Sequence, residues 1–119
     1  MTTPTPPEVA DVLDRAADHI DRVGWTQGDW CEAAPGLSPE ESPVDADSAL
    51  AVAVGAAPFT PGSGLTPAQA VAYHAAMNAL HRHIRGGLIT WNDTPGRTKD
   101  EVTAVMRAAA AYQRKQVAS

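Results

Sequence analysis

Thr5-Pro6-Pro7-Glu8 carries the features of a helix start, and it is the stretch from which the fold can be worked out. The Thr side chain can accept a hydrogen bond from the amide three residues later, and the Glu side chain can bond back to the Thr amide. A proline in the first turn loses nothing, because its missing N–H would have no partner there. Apolar residues then recur every three or four positions until Gly24. This pattern predicts an amphipathic helix over residues 6–23.

The same capping pattern occurs three more times, at residues 38–41, 66–69 and 98–101. The last two stretches precede long segments with an apolar face, and they predict helices over 66–85 and 99–115. At 38–41 the pattern predicts only a single turn, because Pro43 lies too close for a full helix.

A further apolar segment, residues 46–56, has apolar side chains on all sides and no charge after Asp47. It predicts a buried helix whose small side chains let its neighbours approach closely. A buried strand over residues 50–54 is the competing interpretation, because short apolar runs are ambiguous.

Length and composition indicate one compact core. The chain has 119 residues, 44% of them hydrophobic and 19% charged, which is ordinary for a single globular domain. We expect one all-α domain over 1–119, a compact bundle of about four helices with long ordered loops, and frayed ends at 1–4 and 116–119. The single cysteine, Cys31, excludes an internal disulfide, so stability must come from packing.

The location of the protein is expected to be cytoplasmic. No apolar run approaches the roughly 20 residues of a membrane span, and the first residues lack the basic and apolar regions of a signal peptide. No membrane partner is therefore expected.

The charge distribution is asymmetric. Residues 1–65 hold 11 acidic residues against Arg15 and Arg22, whereas residues 66–119 hold three acidic residues against seven basic ones. The favoured interpretation is that acidic and basic helices lie against each other, and the alternative is that one face attracts a charged partner. A nucleic-acid partner is not expected, because the basic residues are dispersed along the chain and the pI is about 5.1.

The tryptophans are three of only six aromatic residues, and Trp25, Trp30 and Trp91 all fall in polar stretches next to predicted helix ends. They can clamp loops onto the core, which is the leading interpretation, or form an exposed patch that binds a partner.

The stretch from Trp91 to Thr98 predicts a specific loop before the last helix. Asn92 and Asp93 can bond local backbone amides, and Arg97 can bridge to a carboxylate or a carbonyl. With the tryptophans, these three residues are the candidate contact surface for a protein partner, although orienting the last helix would be a sufficient structural role.

A pocket between the first and the third predicted helix is the alternative site. Asp29, His74 and His81 would line it together with the polar residues of the 91–98 loop. His74 and His81 lie two helical turns apart and no ligand stands at the usual spacing, so neither a metal site nor a cofactor is expected.

The sequence resembles a family of small actinobacterial and actinobacteriophage proteins of unknown function. The resemblance spans about residues 9–111 and is carried by Gly24-Trp25 with Gln27-Gly28, by the Ala-Val-Gly-Ala run at 53–56, and by Trp91-Asn92-Asp93-x-Pro95-Gly96-Arg97-Thr98-x-x-Glu101-Val102. Members of that family often carry a cysteine where this chain has Val52, and this departure argues against shared thiol or metal chemistry. It implies a helical intracellular protein and no particular activity.

Three hypotheses for the function remain open. The first is a noncatalytic protein-binding or regulatory module, encoded by a phage or its host. The second is a small enzyme or ligand-binding protein that uses the interhelical pocket, and catalysis is the less favoured part of it. The third is a structural protein of a phage particle. The oligomeric state cannot be derived from the sequence.

Overall fold

The chain forms an all-α fold, as predicted. A computed structural model describes residues 3–28, 36–58 and 60–118. It contains five α-helices, α1 (Pro6–Val23), α2 (Ala46–Ala53), α3 (Pro67–His81), α4 (Leu88–Asn92) and α5 (Lys99–Ala118), and 3₁₀ turns at Pro39–Glu41 and Gly62–Gly64. Outside the helices, the only bridge pairing in these ranges is a parallel bridge between Trp25 and Val44.

The capping boxes start three of the helices. Thr5 and Thr66 each exchange both bonds with the residue three positions later. At α5, Glu101 accepts from the Thr98 amide at 3.0 Å, and the Glu101 amide donates to Oγ1 of Thr98 at 3.2 Å. The turn predicted at 38–41 is confirmed as the first 3₁₀ turn, although Ser38 makes no capping bond there.

Helix α1 lies at the centre of the bundle and packs against α5, α2 and α3. The largest fully buried apolar side chains are Leu13, Ile20, Leu50, Leu80 and Met106. Between them lie alanines with no exposed surface, among them Ala10, Ala16, Ala17, Ala109 and Ala110. These small side chains allow the helix backbones to approach closely, so the core depends on shape as much as on apolar area.

Helix α2 is a helix and not the alternative strand, but it ends at Ala53 instead of residue 56. Gly55 has a φ of +96°, its amide donates to the Val52 carbonyl at 3.0 Å, and the Ala56 amide donates to the Ala51 carbonyl at 3.1 Å. This is the Schellman arrangement, which satisfies the last free carbonyls of a helix. Gly55, which the prediction placed inside this helix, therefore ends α2.

The segment after α3 differs most from the prediction. α3 ends at His81 instead of residue 85, because the amides of Arg82 and His83 donate to carbonyls three residues back, which tightens the last turn. Residues 88–92, predicted as loop, form the short helix α4 with Leu88 and Asn92 buried. α5 continues to Ala118, beyond the predicted end at 115.

The charge asymmetry has a structural explanation, because an acidic face of α1 lies against basic residues of α5. Arg107 reaches Asp18 at 2.8 Å and Asp21 at 3.0 Å. Arg114 binds Asp14 at 2.7 Å and a further α1 aspartate at 3.0 Å. The interpretation that oppositely charged helices lie against each other is confirmed.

Replacing Arg107 by Gln is expected to lower the free energy of unfolding by only about 0.5–1 kcal/mol, because the guanidinium and its carboxylates are solvent-exposed. Salt screens exposed ion pairs, so the loss should shrink in about 1 M NaCl. Urea unfolding at low and high salt measures it. Lys115→Gln is the matched control, because Lys115 forms no ion pair with another described residue. A loss of equal size at both salt concentrations would contradict the ionic origin.

Candidate functional site

Asn92, at the end of α4, is the best-connected polar side chain of the candidate site. It is 1% exposed. Its Oδ1 accepts from the indole N–H of Trp25 at 2.7 Å and from the amide of Ala46 at 3.0 Å. Its Nδ2 donates to the Thr26 carbonyl at 3.2 Å and to Oδ1 of Asp93 at 3.0 Å. A side-chain amide offers two donors and two acceptor positions, and this one uses all four.

These bonds join three segments that are far apart in sequence: the end of α1, the start of α2, and α4. The first two also pair directly, because the Thr26 amide donates to the Val44 carbonyl at 3.1 Å and the Val44 amide donates to the Gly24 carbonyl at 3.2 Å. Gly24 permits this turn with a φ of +103°, which strains other residues. The side chain of Asn92 therefore fixes how the loops cross.

A second set of bonds lies nearer the surface. Nε2 of Gln27 donates to the carbonyls of Asn92 and Thr94 at 3.0 and 2.9 Å. The Gly28 amide donates to Oδ1 of Asp93 at 2.9 Å. The bond from Gly28, followed by that from Asn92, lowers the pKa of Asp93 and keeps its carboxylate charged.

Trp91 and Arg97 form a stacked pair on the outer side of this network. The guanidinium carbon of Arg97 lies 4.1 Å from the centroid of the Trp91 ring. Nε of Arg97 donates to the Trp91 carbonyl at 3.1 Å, and Nη1 bonds Glu101 at 3.2 Å. Both members of the pair are partly exposed. Arg97 is thus held in one orientation with part of its surface available.

The structure brings together most of the candidate contact residues. Trp25, Asn92 and Asp93 share one hydrogen-bond network, and the Trp91–Arg97 pair adjoins it through the chain. Trp30 lies outside the described residues.

The alternative site was predicted as a pocket lined by Asp29, His74 and His81. His74 and His81 are exposed on α3, and Asp29 lies outside the described residues. A cavity of about 570 Å³ does lie between α1 and α3, but other residues line it, among them Val9, Val12, Arg15 and Val71. In the ranges that the structure describes, no group of three His, Cys, Asp or Glu side chains is placed to hold a metal ion.

Thr26 and Gln27 belong to the network and had no role in the sequence-based site, and neither had Asp45, which precedes Ala46 at the start of α2. Gln27 belongs to the block that carries the family resemblance, which is the one signal that could have indicated it. Thr26 contributes only its backbone, and backbone groups leave no trace in residue type.

Asp45 caps α2 from a buried position. It is 5% exposed, and its carboxylate accepts from the Ser48 amide at 2.7 Å. Burial raises the pKa of Asp45 to about 6, the bond from Ser48 opposes that shift, and the nearby charges of Asp47 and Asp93 add to it. Asp47 in turn accepts a bond from the Tyr73 hydroxyl, and burial followed by this bond raises the pKa of Tyr73.

Asp45→Asn is expected to stabilise the protein by about 1–2 kcal/mol at pH 7 and by little near pH 4. The folded-state pKa of Asp45, about 6, lies above the ordinary 3.8. Stability from this group is therefore complete below pH 4 and is lost as the pH rises through 6. Asn keeps the capping acceptor without the buried charge. Urea unfolding of both proteins between pH 4 and 7 measures the effect, and parallel pH curves would contradict it.

The stability that His19 contributes changes with pH in the direction opposite to that of Asp45. This change cancels when the wild type is compared with Asp45→Asn, because both proteins contain His19. Arg22 can only donate, so Nδ1 of His19 accepts its bond at 3.0 Å, and the imidazole proton resides on Nε2, a buried atom without a hydrogen-bond partner. Burial, aided by Arg22, lowers the pKa of His19 below 6.5. Its contribution to stability is lost as the pH falls through this region, equally in both proteins.

The fold and the site together define a class: a small all-helical protein whose interhelical loops are joined by one buried asparagine. A family model described as Family of unknown function (DUF6197) matches residues 4–112, and the chain belongs to this family. Membership of a family of unknown function is what the resemblance implied. No curated protein and no solved structure matches the chain. Within the described residues, no helix is long and apolar enough to cross a membrane.

Proposed function

We propose that the protein is a noncatalytic protein-binding module, and that its contact surface is the face formed by residues 25–28 and 88–97, called here the loop face. The observation that carries the proposal is that the polar groups at this site are already hydrogen-bonded within the protein. The amide of Asn92, the indole N–H of Trp25 and the side chain of Gln27 all bond within the protein. These groups hold the loops of the surface in place, and they are not free to take part in a reaction.

The exposed part of the loop face has the composition of a binding surface. Ile89 is 58% exposed, the highest value among the exposed large hydrophobic side chains of the described residues. It lies on α4, the same short helix that Asn92 anchors. The Trp91–Arg97 stack, also partly exposed, follows directly. Tryptophan and arginine are the residue types most often found at binding hot spots.

Rigidity favours binding here. The Asn92 bonds and the guanidinium stack hold the loops in one arrangement before any partner arrives. A protein partner would therefore lose little free energy to ordering these side chains, and ordering is one of the larger costs of association.

Substitution of Ile89 tests the proposal. Ile89→Glu places a charge on the exposed part of α4, within the loop face, without removing a side-chain bond of the network. Leu37→Glu is the matched control, because Leu37 is another exposed apolar residue, at 44%, outside that face. Immobilised wild-type and variant proteins are incubated with an actinobacterial lysate, and the retained proteins are quantified after circular dichroism has confirmed folding.

The expected result is a set of proteins retained by the wild type and by Leu37→Glu and lost with Ile89→Glu. Equal retention by both variants would show that the loop face is not the contact surface.

A ligand-binding function is the second candidate, because the cavity of about 570 Å³ between α1 and α3 is large enough for a small molecule. Val71→Trp would fill part of this cavity. If a metabolite mixture stabilises the wild type against heat and fails to stabilise this variant, the cavity is the functional site.

The biological setting is proposed from the resemblance: an intracellular protein of an actinobacterium or of its phage. A structural role in a phage particle predicts large homo-oligomers at low protein concentration. Analytical ultracentrifugation separates that role from a binding module, which does not need self-assembly.

A further inference from the structure

The basic residues of the chain divide into two groups by their contacts. Arg97, Lys99, Arg107 and Arg114 form ion pairs with carboxylates. Arg15 and Arg22 are also engaged, the first with the Ala53 carbonyl and the second with His19. The remaining three are Arg82, Arg85 and Lys115, which form no ion pair within the described ranges.

One of these three, Arg82, contacts an aromatic ring near the ends of α3 and α5, and a second, Lys115, lies close to that ring along α5. The guanidinium carbon of Arg82 lies 5.8 Å from the centroid of the Tyr112 ring. The imidazole of His83 meets the same ring edge-on, with centroids 5.7 Å apart. Lys115 is three residues after Tyr112 on α5 and so lies on the same helix face. Arg85 follows in the turn after α3. All five residues are exposed.

The sequence provides no acidic residue to neutralise this region locally. No Asp or Glu occurs between residues 48 and 92 or after residue 101. The acidic face of α1 is already occupied by its pairs with Arg107 and Arg114. Among the described residues, a surface with unpaired positive charge thus remains on a protein whose net charge is −5.

We propose that this surface, the basic patch formed by Arg82, His83, Arg85, Tyr112 and Lys115, binds an acidic segment of a protein partner. Carboxylates of the segment bind the two arginines and the lysine. An apolar side chain of the segment packs on Tyr112, which is 37% exposed. The patch shares no residue with the loop face and does not depend on the function proposed for it.

The observations favour an acidic protein segment over nucleic acid. Tight binding to a nucleic-acid backbone draws on many phosphate contacts, whereas the patch offers three permanent cations. The net charge of −5 also repels an extended polyanion. A short segment with a few carboxylates gains the local attraction with less of this repulsion.

Three probes test the proposal: a fluorescent peptide of alternating Glu and Ser with one Phe, the same peptide with Gln for Glu, and single-stranded oligothymidylate. Affinities are measured by fluorescence anisotropy at low and physiological salt, and the site is mapped by NMR shifts. The double variant Arg82→Gln/Lys115→Gln removes two charges from the patch. The double variant Leu37→Glu/Ala104→Glu changes the net charge by the same amount at two exposed positions elsewhere.

The Glu peptide is expected to bind, with the largest shifts at the patch residues, and to bind about fivefold to tenfold more weakly to Arg82→Gln/Lys115→Gln. The control variant should retain most of the affinity. The proposal is overturned if the Glu peptide does not bind, if its shifts map elsewhere, if the Gln peptide binds equally well, or if oligothymidylate binds the patch more tightly.

Discussion

Asn92→Asp is expected to lower the free energy of unfolding by about 3–4 kcal/mol, the largest loss foreseen for an isosteric change in this protein. The new carboxylate keeps the shape and the two acceptor positions of the amide. It loses both donors, which leaves the Thr26 carbonyl without its bond, and it places a buried charge beside the Asp93 oxygen that Nδ2 contacts at 3.0 Å. Urea unfolding at pH 7 measures the loss.

The neighbouring change, Asp93→Asn, is the matched control. It exchanges the same two chemical groups in the opposite direction one residue further along. It should cost less than about 1 kcal/mol, because the side-chain oxygen can still accept the Gly28 amide bond near the surface. A similar loss for both variants would show that the loops do not depend on the buried amide. If Asn92→Asp is unfolded at pH 7, partial recovery of structure near pH 4 would identify the buried charge as the cause.

Ala110→Leu is expected to cost about 2–3 kcal/mol, because it overfills the packing of α5. Ala110 has no exposed surface, and α5 packs chiefly against α1, where Ala10, Ala16 and Ala17 are equally buried. A larger side chain must displace a helix backbone or adopt a strained rotamer.

Ala111→Leu makes the identical change at the next residue of the same helix, where the side chain is exposed. Its effect should stay within about 0.5 kcal/mol. Thermal and urea unfolding of the two variants give the comparison. If Ala110→Leu is as stable as Ala111→Leu, the close approach of helices is not what limits side-chain size in the core.

The residues of the candidate site were largely predictable, whereas their arrangement was not. The unusual stretch from Trp91 to Arg97 drew attention to the segment that the hydrogen-bond network contains, because tryptophan, asparagine and glycine are distinctive in an alanine-rich chain. The bond between Trp25 and Asn92 joins residues 67 positions apart. No local pattern encodes such a bond, since each partner only shows that it needs a hydrogen bond, and many other groups could supply one.

The ion pairs were also predictable only in part. Counting charges along the chain was enough to predict that an acidic and a basic helix lie together. The count could not tell that Arg107 and Arg114 pair with α1 while Arg82, Arg85 and Lys115 do not, because that depends on which face of each helix is turned toward its neighbour.

The sequence by itself determined where α1, α3 and α5 begin and that the protein is all-α. A capping box closes its bonds within three residues, as at Thr5, so the information is local and survives without the fold. The tertiary structure decided where α3 ends and that α4 exists. A five-residue helix does not persist alone, and Gly87 gives it no side-chain cap. It forms because Leu88 enters the core and Asn92 bonds two distant segments, the end of α1 and the start of α2.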